Sequence, residues 1–109
     1  MKVEEGIKQT AIGVLEAEAE VLGALVASVD ENFINGVNLV HECIGRVALI
    51  GVGKSGHISR KIASTLASTG TPAFFVNAAE ASHGDMGMLT IGDVVLILSN
   101  SGETKEVLA

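Results

Sequence analysis

A chain of 109 residues, 48% of them apolar and with a formal net charge of −6, is at most one domain with a modest core. Seven of its acids, Glu4, Glu5, Glu16, Glu18, Glu20, Asp30 and Glu31, precede residue 32, which argues against a nucleic-acid or anionic-membrane surface, and three Phe with no Trp or Tyr leave little for base stacking. The lone Cys43 excludes an internal disulfide, no segment has the layout of a signal peptide, and no apolar run nears the roughly 20 residues that cross a bilayer, so a cytoplasmic protein is expected.

In chain order, Ile7, Ala11, Val14, Leu15, Leu22, Leu25, Val26 and Val29 recur at three- and four-residue steps, which predicts one long amphipathic helix weakened by Gly6, Gly13 and Gly23. Asp30 can cap a second, shorter helix carrying Phe33, Ile34, Val37 and Val40, and Gly45 can end it. The period then changes. Residues 46–51 read as a strand buried on both faces, 55–69 as a helix, Ala73 to Asn77 as a second strand and 93–99 as a third. This alternation implies right-handed βαβ crossovers and an α/β fold, a doubly wound parallel sheet. Residues 103–109 read as the first turns of a further helix. The expected plan is a helical lead-in over 1–45 and three βα units over 46–109, incomplete at the C-terminus, because three buried-type strands alone leave an apolar edge open. Repeats, low-complexity segments and linkers are absent from the sequence.

Two loops of anion-holding composition follow strand-like runs: Gly51-Val52-Gly53-Lys54-Ser55-Gly56-His57 after Val47–Ile50, and Ser99-Asn100-Ser101-Gly102-Glu103-Thr104 after Val94–Leu98. In an open parallel sheet, loops at the carboxyl ends of neighbouring strands can close on one anion, with glycine N–H groups, hydroxyls and Lys54 as donors. The first loop invites three readings. A Walker loop fails, because the position five before the glycine of Gly53-Lys54-Ser55 is Ala48, inside the strand. The dinucleotide fingerprint is matched by Gly51, Gly53 and Gly56, but the acid expected after the second strand is replaced by Asn77. Glycines that only turn the chain and pack helix on strand are the third reading, and the second, hydroxyl-rich loop weighs against it.

Together Gly53-Lys54-Ser55-Gly56-His57, Ala67-Ser68-Thr69-Gly70-Thr71-Pro72, Ala81-Ser82-His83-Gly84-Asp85 and Ser99-Asn100-Ser101-Gly102-Glu103-Thr104 resemble the sugar isomerase (SIS) domains of the arabinose-5-phosphate isomerase family, of the capsule-expression and sorbitol-operon type. The resemblance runs from about residue 10 to the end and covers the first half or so of such a domain. It implies an SIS-type sheet and interconversion of D-ribulose 5-phosphate and D-arabinose 5-phosphate, a precursor of the eight-carbon acid sugar of lipopolysaccharide or capsule. Proton removal beside a carbonyl through an enediolate needs a base, an oxyanion partner and a hold on the phosphate, with no metal or organic cofactor. The family's lysine after the first strand matches Lys54 and its glutamate after the third matches Glu106; a later glutamate and histidine have no counterpart in the chain. The resemblance further implies a homo-oligomer, dimer or tetramer, with the long N-terminal helix as a candidate interface.

The assignments that result are catalytic Lys54, Glu106 and His83, and phosphosugar contacts from Gly53, Ser55, Gly56, Ser99, Asn100, Ser101, Gly102 and Thr104. Each has a plainer competitor. Lys54 could be a solvated lysine, Glu106 a helix-dipole partner, Glu103 a cap of its own loop, and the hydroxyls ordinary turn residues. His83, among Gly, Ser and Asp, favours a polar role as acid–base group or sugar-hydroxyl contact. His57 reads as a helix-start residue and His41 as a surface histidine. His83 and Asp85 are two potential ligands without the cluster a zinc site needs. The rival function is a non-catalytic phosphosugar sensor; Lys54, His83 and Glu106 favour the enzyme, and no basic helix-turn-helix precedes the fold. Asn77 and the hydroxyl-rich loop disfavour a dehydrogenase.

Overall fold

The computed structural model describes residues 2–81 and 85–100. The expected helix at residues 103–109 lies outside them, as does the 82–84 segment. The chain divides into two compact units, Met1–Val37 and Asn38–Ala109, a division that falls inside the second helix, upstream of the change of pattern at residue 45.

The first unit is helical. Helix α1 runs from Val3 to Leu25 without a break at Gly6, Gly13 or Gly23, since a single glycine costs only about 1 kcal/mol in a helix of this length. Glu4 and Glu5 sit in its first turn, at the positive end of the helix dipole. A short 3-10 turn, Val26–Ser28, follows, so the predicted long helix tightens three residues before Val29. Asp30 caps α2 (Glu31–His41), as its position predicts: its Oδ1 accepts from the N–H groups of Asn32 at 3.0 Å and Phe33 at 3.2 Å, satisfying two donors that the helix itself cannot. No residue of α1 is buried.

The second unit carries the sheet: β1 (Val47–Gly51), α3 (Gly53–Ser68), β2 (Ala73–Asn77), the single turn α4 (Ala78–Ala81), a 3-10 turn at Asp85–Met88 and β3 (Val94–Ile97). The strands are parallel in the order β2-β1-β3, so the chain steps from β1 to β2 on one side and then crosses to β3 on the other. That reversal is the switch point where α/β sheets leave a crevice. The central strand explains the apolar run of the sequence, for all five residues of β1 are buried. Register alternates its side chains between two faces. Val47 and Leu49 pack with Ala73, Phe75 and Leu96 and with Ile62, Ala63 and Leu66 of α3, while Ile50 packs with Val76, Phe74, Ala78 and Val52. Complete burial of Val47 and Leu49 is worth on the order of 1.5–3 kcal/mol each.

The third strand departs from expectation in length and burial. It spans four residues rather than 93–99, with Val95 and Ile97 exposed, because it is an edge of the described sheet. Its start is fastened to β1 by Asp93. The Asp93 carboxylate accepts from the Arg46 N–H at 2.7 Å and the Thr90 N–H at 2.9 Å, and the Arg46 guanidinium lies 3.7 Å away. The two backbone donors hold the Asp93 carboxyl below the usual carboxylate range, with the Thr90 hydroxyl and the Arg46 charge assisting. Gly45 donates to the Gly92 carbonyl at 3.1 Å, Gly92 takes a φ of +97°, and the Cys43 thiol donates to the same carbonyl at 3.4 Å. Arg46 completes the fastening by stacking over Phe74, 4.2 Å from the ring centre.

Candidate functional site

The site starts from the way β1 turns into α3. A Cβ on Gly51 would stand 2.7 Å from the Ser59 hydroxyl and 2.8 Å from the Ser55 carbonyl oxygen, so only a residue without a side chain lets the helix begin this close to the strand end. Val52 is extended, and Gly53 takes a φ of +60°, the left-handed region that glycine adopts without strain. The first closed turn runs from the Gly56 N–H to the Val52 carbonyl at 3.2 Å, and Val52 offers no capping side chain. The N–H groups of the first helical residues therefore face the carboxyl edge of the sheet at the positive end of α3. Ser59 fixes the arrangement from below: its hydroxyl reaches the Ser55 carbonyl at 2.8 Å and the Ile50 carbonyl at 3.4 Å.

On the neighbouring strand, the Leu98 N–H donates to the Ile50 carbonyl at 2.9 Å, carrying the ladder one step past β3 and delivering residues 99 and 100 beside the start of α3. Between them lies a cleft of about 480 Å³ lined by Lys54, Ser55, Ile58, Leu98, Ser99 and Asn100. Lys54 and Asn100 are exposed and Ser55 and Ser99 half-buried. An ammonium group, two hydroxyls, an amide and open helix N–H groups around a floor of Ile58 and Leu98 can hold an oxyanion and cover a short carbon chain.

Four of the expected site residues, Lys54, Ser55, Ser99 and Asn100, thus share one cleft, contributed by the adjacent strands β1 and β3. Gly53 and Gly56 line a smaller cavity on the opposite flank of α3, and Gly56 is buried, a Cβ there lying 3.3 Å from the Gly51 carbonyl oxygen. His83, Ser101, Gly102, Thr104 and Glu106 lie outside the described residues. Ile58 and Leu98 were absent from the expected set; their signal is spacing, Ile58 being four residues beyond Lys54 on one helix face and Leu98 the residue before the serine loop. Asn77 has a structural task in place of the missing acid, for its Oδ1 accepts the Ala79 N–H at 2.9 Å and starts α4. His41 and His57 are exposed. Among the described residues no group of three His, Cys, Asp or Glu could hold a metal ion, and no helix is long and apolar enough to cross a membrane.

A family model described as SIS domain matches residues 42–109. The sequence is 56% identical over 90 residues to the arabinose 5-phosphate isomerase KdsD of Pseudomonas aeruginosa, covering 83% of this chain and 28% of that protein. It is 54% identical over 95 residues to KdsD of Yersinia pestis, covering 87% and 29%. The chain therefore spans under a third of the length of the curated relatives it matches. Among solved structures, an Escherichia coli CFT073 protein in complex with arabinose 5-phosphate superposes with a TM-score of 0.91 at 44% identity, over 99% of this chain and 57% of that one. A Bacteroides fragilis protein described as a phosphosugar isomerase involved in capsule formation superposes with a TM-score of 0.69 at 36% identity, over 87% and 54%.

Proposed function

This chain belongs to the SIS domain family, and we propose that in the full-length protein it supplies the phosphate-holding part of an aldose–ketose isomerase site that interconverts D-arabinose 5-phosphate and D-ribulose 5-phosphate. The observation that carries this reading is the single cleft shared by Lys54, Ser55, Ser99 and Asn100 at the ends of adjacent strands, in a chain 56% identical over 90 residues to an arabinose 5-phosphate isomerase. The two serine hydroxyls, Asn100 and the open N–H groups of α3 receive the phosphate, joined by Ser101, Gly102 and Thr104 of the same loop.

In the chemistry we propose, a base removes the proton on C2 of the open-chain aldose, leaving an enediolate, and the proton returns to C1 as the ketose forms. Glu106 is assigned the proton transfer. Lys54 stabilises the oxyanion, because an ammonium group aimed at charge that develops only in the transition state lowers the barrier rather than merely binding substrate. His83 contacts a sugar hydroxyl or relays a proton. The reading extends to a cytoplasmic homo-oligomer whose product serves lipopolysaccharide or capsule synthesis.

The test is to incubate the full-length protein with D-arabinose 5-phosphate in deuterium oxide and follow both sugars by NMR. Appearance of ribulose 5-phosphate with deuterium at C1 is the expected result. Binding of the sugar phosphate with no interconversion and no deuterium uptake would identify a sensor instead and overturn the isomerase reading.

A further inference from the structure

The first turns of α3 serve two cavities. Lys54, Ser55 and Ile58 face the cleft toward β3. On the opposite flank, Gly53, Gly56, His57 and Arg60, at spacings of three, four and seven along the helix, line a second cavity of about 220 Å³ together with Phe75 and Asn77 of β2. From this cavity we propose a second anion subsite, selective for a phosphate group carried by inorganic phosphate or a small monoester, with Arg60, His57 and the Asn77 amide as its donors.

Three observations carry the proposal. First, Arg60 is held in place: its guanidinium lies over the Phe75 ring, 4.5 Å from the centre. Stacking occupies the face of the guanidinium and leaves its edge N–H groups directed outward, the arrangement in which Arg takes an oxyanion at low entropic cost. Second, the Asn77 side chain is oriented, because its Oδ1 is engaged by the Ala79 N–H at 2.9 Å; the amide nitrogen, with two donors, is the end left for the cavity. Third, the stretch of chain that carries α3 is rich in cations and free of acids. A chain with net charge −6 has no Asp or Glu between Glu42 and Glu80, while Arg46, Lys54, Arg60 and Lys61 all fall in that stretch. Among the described residues neither Arg60 nor His57 makes an ion pair, the only such pair being Arg46 with Asp93.

Size sets the ligand class. The volume is below the roughly 300 Å³ at which sites for whole small molecules begin, so the cavity suits one anionic group rather than an entire phosphosugar. A guanidinium fork, an imidazole and an amide give the several converging donors that a phosphate accepts and a monodentate carboxylate does not use. The subsite does not depend on the isomerase reading, since none of Arg60, His57 and Asn77 lines the larger cleft.

The test is a titration of the full-length protein, labelled with carbon-13 at the histidine rings, with inorganic phosphate and separately with glycerol 3-phosphate. The His57 ring signal is assigned by its loss in His57→Asn. A saturable shift of that signal is expected, with at least about tenfold weaker binding in Arg60→Gln, the loss of one charge-assisted contact. Arg60→Lys, which keeps the charge but not the fork, should fall between the two. In Lys54→Ala the His57 response should persist, separating this subsite from the cleft toward β3. The tighter of the two probes identifies whether a free or an esterified phosphate is preferred. A His57 signal unmoved by both probes, or equally responsive in Arg60→Gln, would overturn the subsite, whether or not the protein interconverts the two pentose phosphates.

Discussion

Helices α1 and α3 both repeat apolar residues at three- and four-residue steps, yet they end in opposite circumstances. In α1 the side chains of Ile7, Leu15 and Leu22 remain about two-thirds exposed, and a Cβ added at Gly13 or Gly23 would meet nothing within 4 Å. In α3 the buried residues are Gly56, Ser59 and Ala63, all small, and the glycine before it, Gly51, has no room for a Cβ. Large apolar residues thus mark a face that a helix could bury, whereas small ones mark where a helix does lie close to its neighbour. Close approach is also what brings the start of α3 to the strand ends, so the tightly packed helix is the one that lines the candidate cleft.

The contrast can be broken experimentally in descending order of effect. Lys54→Ala in the full-length protein should lower turnover by about 10²–10³ without loss of fold, the scale for removing one oxyanion partner; steady-state assay with circular dichroism checks both halves of the statement. Near-normal turnover would return Lys54 to the status of a solvated lysine in the first turn of α3. Gly51→Ala should cost about 1–3 kcal/mol, as overpacking does when the obstructing atom is backbone, and should lower the urea midpoint while widening the separation of α3 from β1. A smaller loss is expected from Asp93→Asn, which weakens the fastening of β3 to β1. Its pH signature has a definite sign: because the folded-state carboxyl is held below its usual range, the contribution of Asp93 is present at neutral pH and is lost as the pH falls below about 4 and through the folded value. Unfolding midpoints measured down that range should drop more steeply in the parent protein than in Asp93→Asn. Gly13→Ala should do the reverse of Gly51→Ala, slowing amide exchange across α1 by a factor of about 2–5, because there is open space at the position and alanine is the better helix former.

Much of the fold was legible where one signal dominated. The continuous apolar run Val47–Ile50 with glycine after it could hardly be other than a central strand, and Asp30 stood where an N-cap must stand. The third strand was read too long because apolar content cannot distinguish an edge, where Val95 and Ile97 face outward, from a centre. The fastening by Asp93 was not foreseen, although Thr90-x-x-Asp93 ahead of a glycine-flanked strand start is the sort of short polar spacing that closes a turn. That Lys54, Ser55, Ser99 and Asn100 line one cleft is readable because loop composition follows strand order; their roles there are part of the proposal. Arg60 and His57 were not readable, since what gives them a shared cavity is Phe75 and Asn77 from a strand that the helix reaches only in three dimensions.

The central claim is that one cleft, built from the ends of β1 and β3, holds the phosphate of a pentose phosphate. Calorimetric titration of D-arabinose 5-phosphate into the full-length protein and into its Ser55→Ala, Ser99→Ala double variant tests it most directly. The account predicts binding weakened by about tenfold or more in the variant, as two contacts to a charged group are lost. Equal affinity in the two proteins would contradict it and move the phosphate elsewhere.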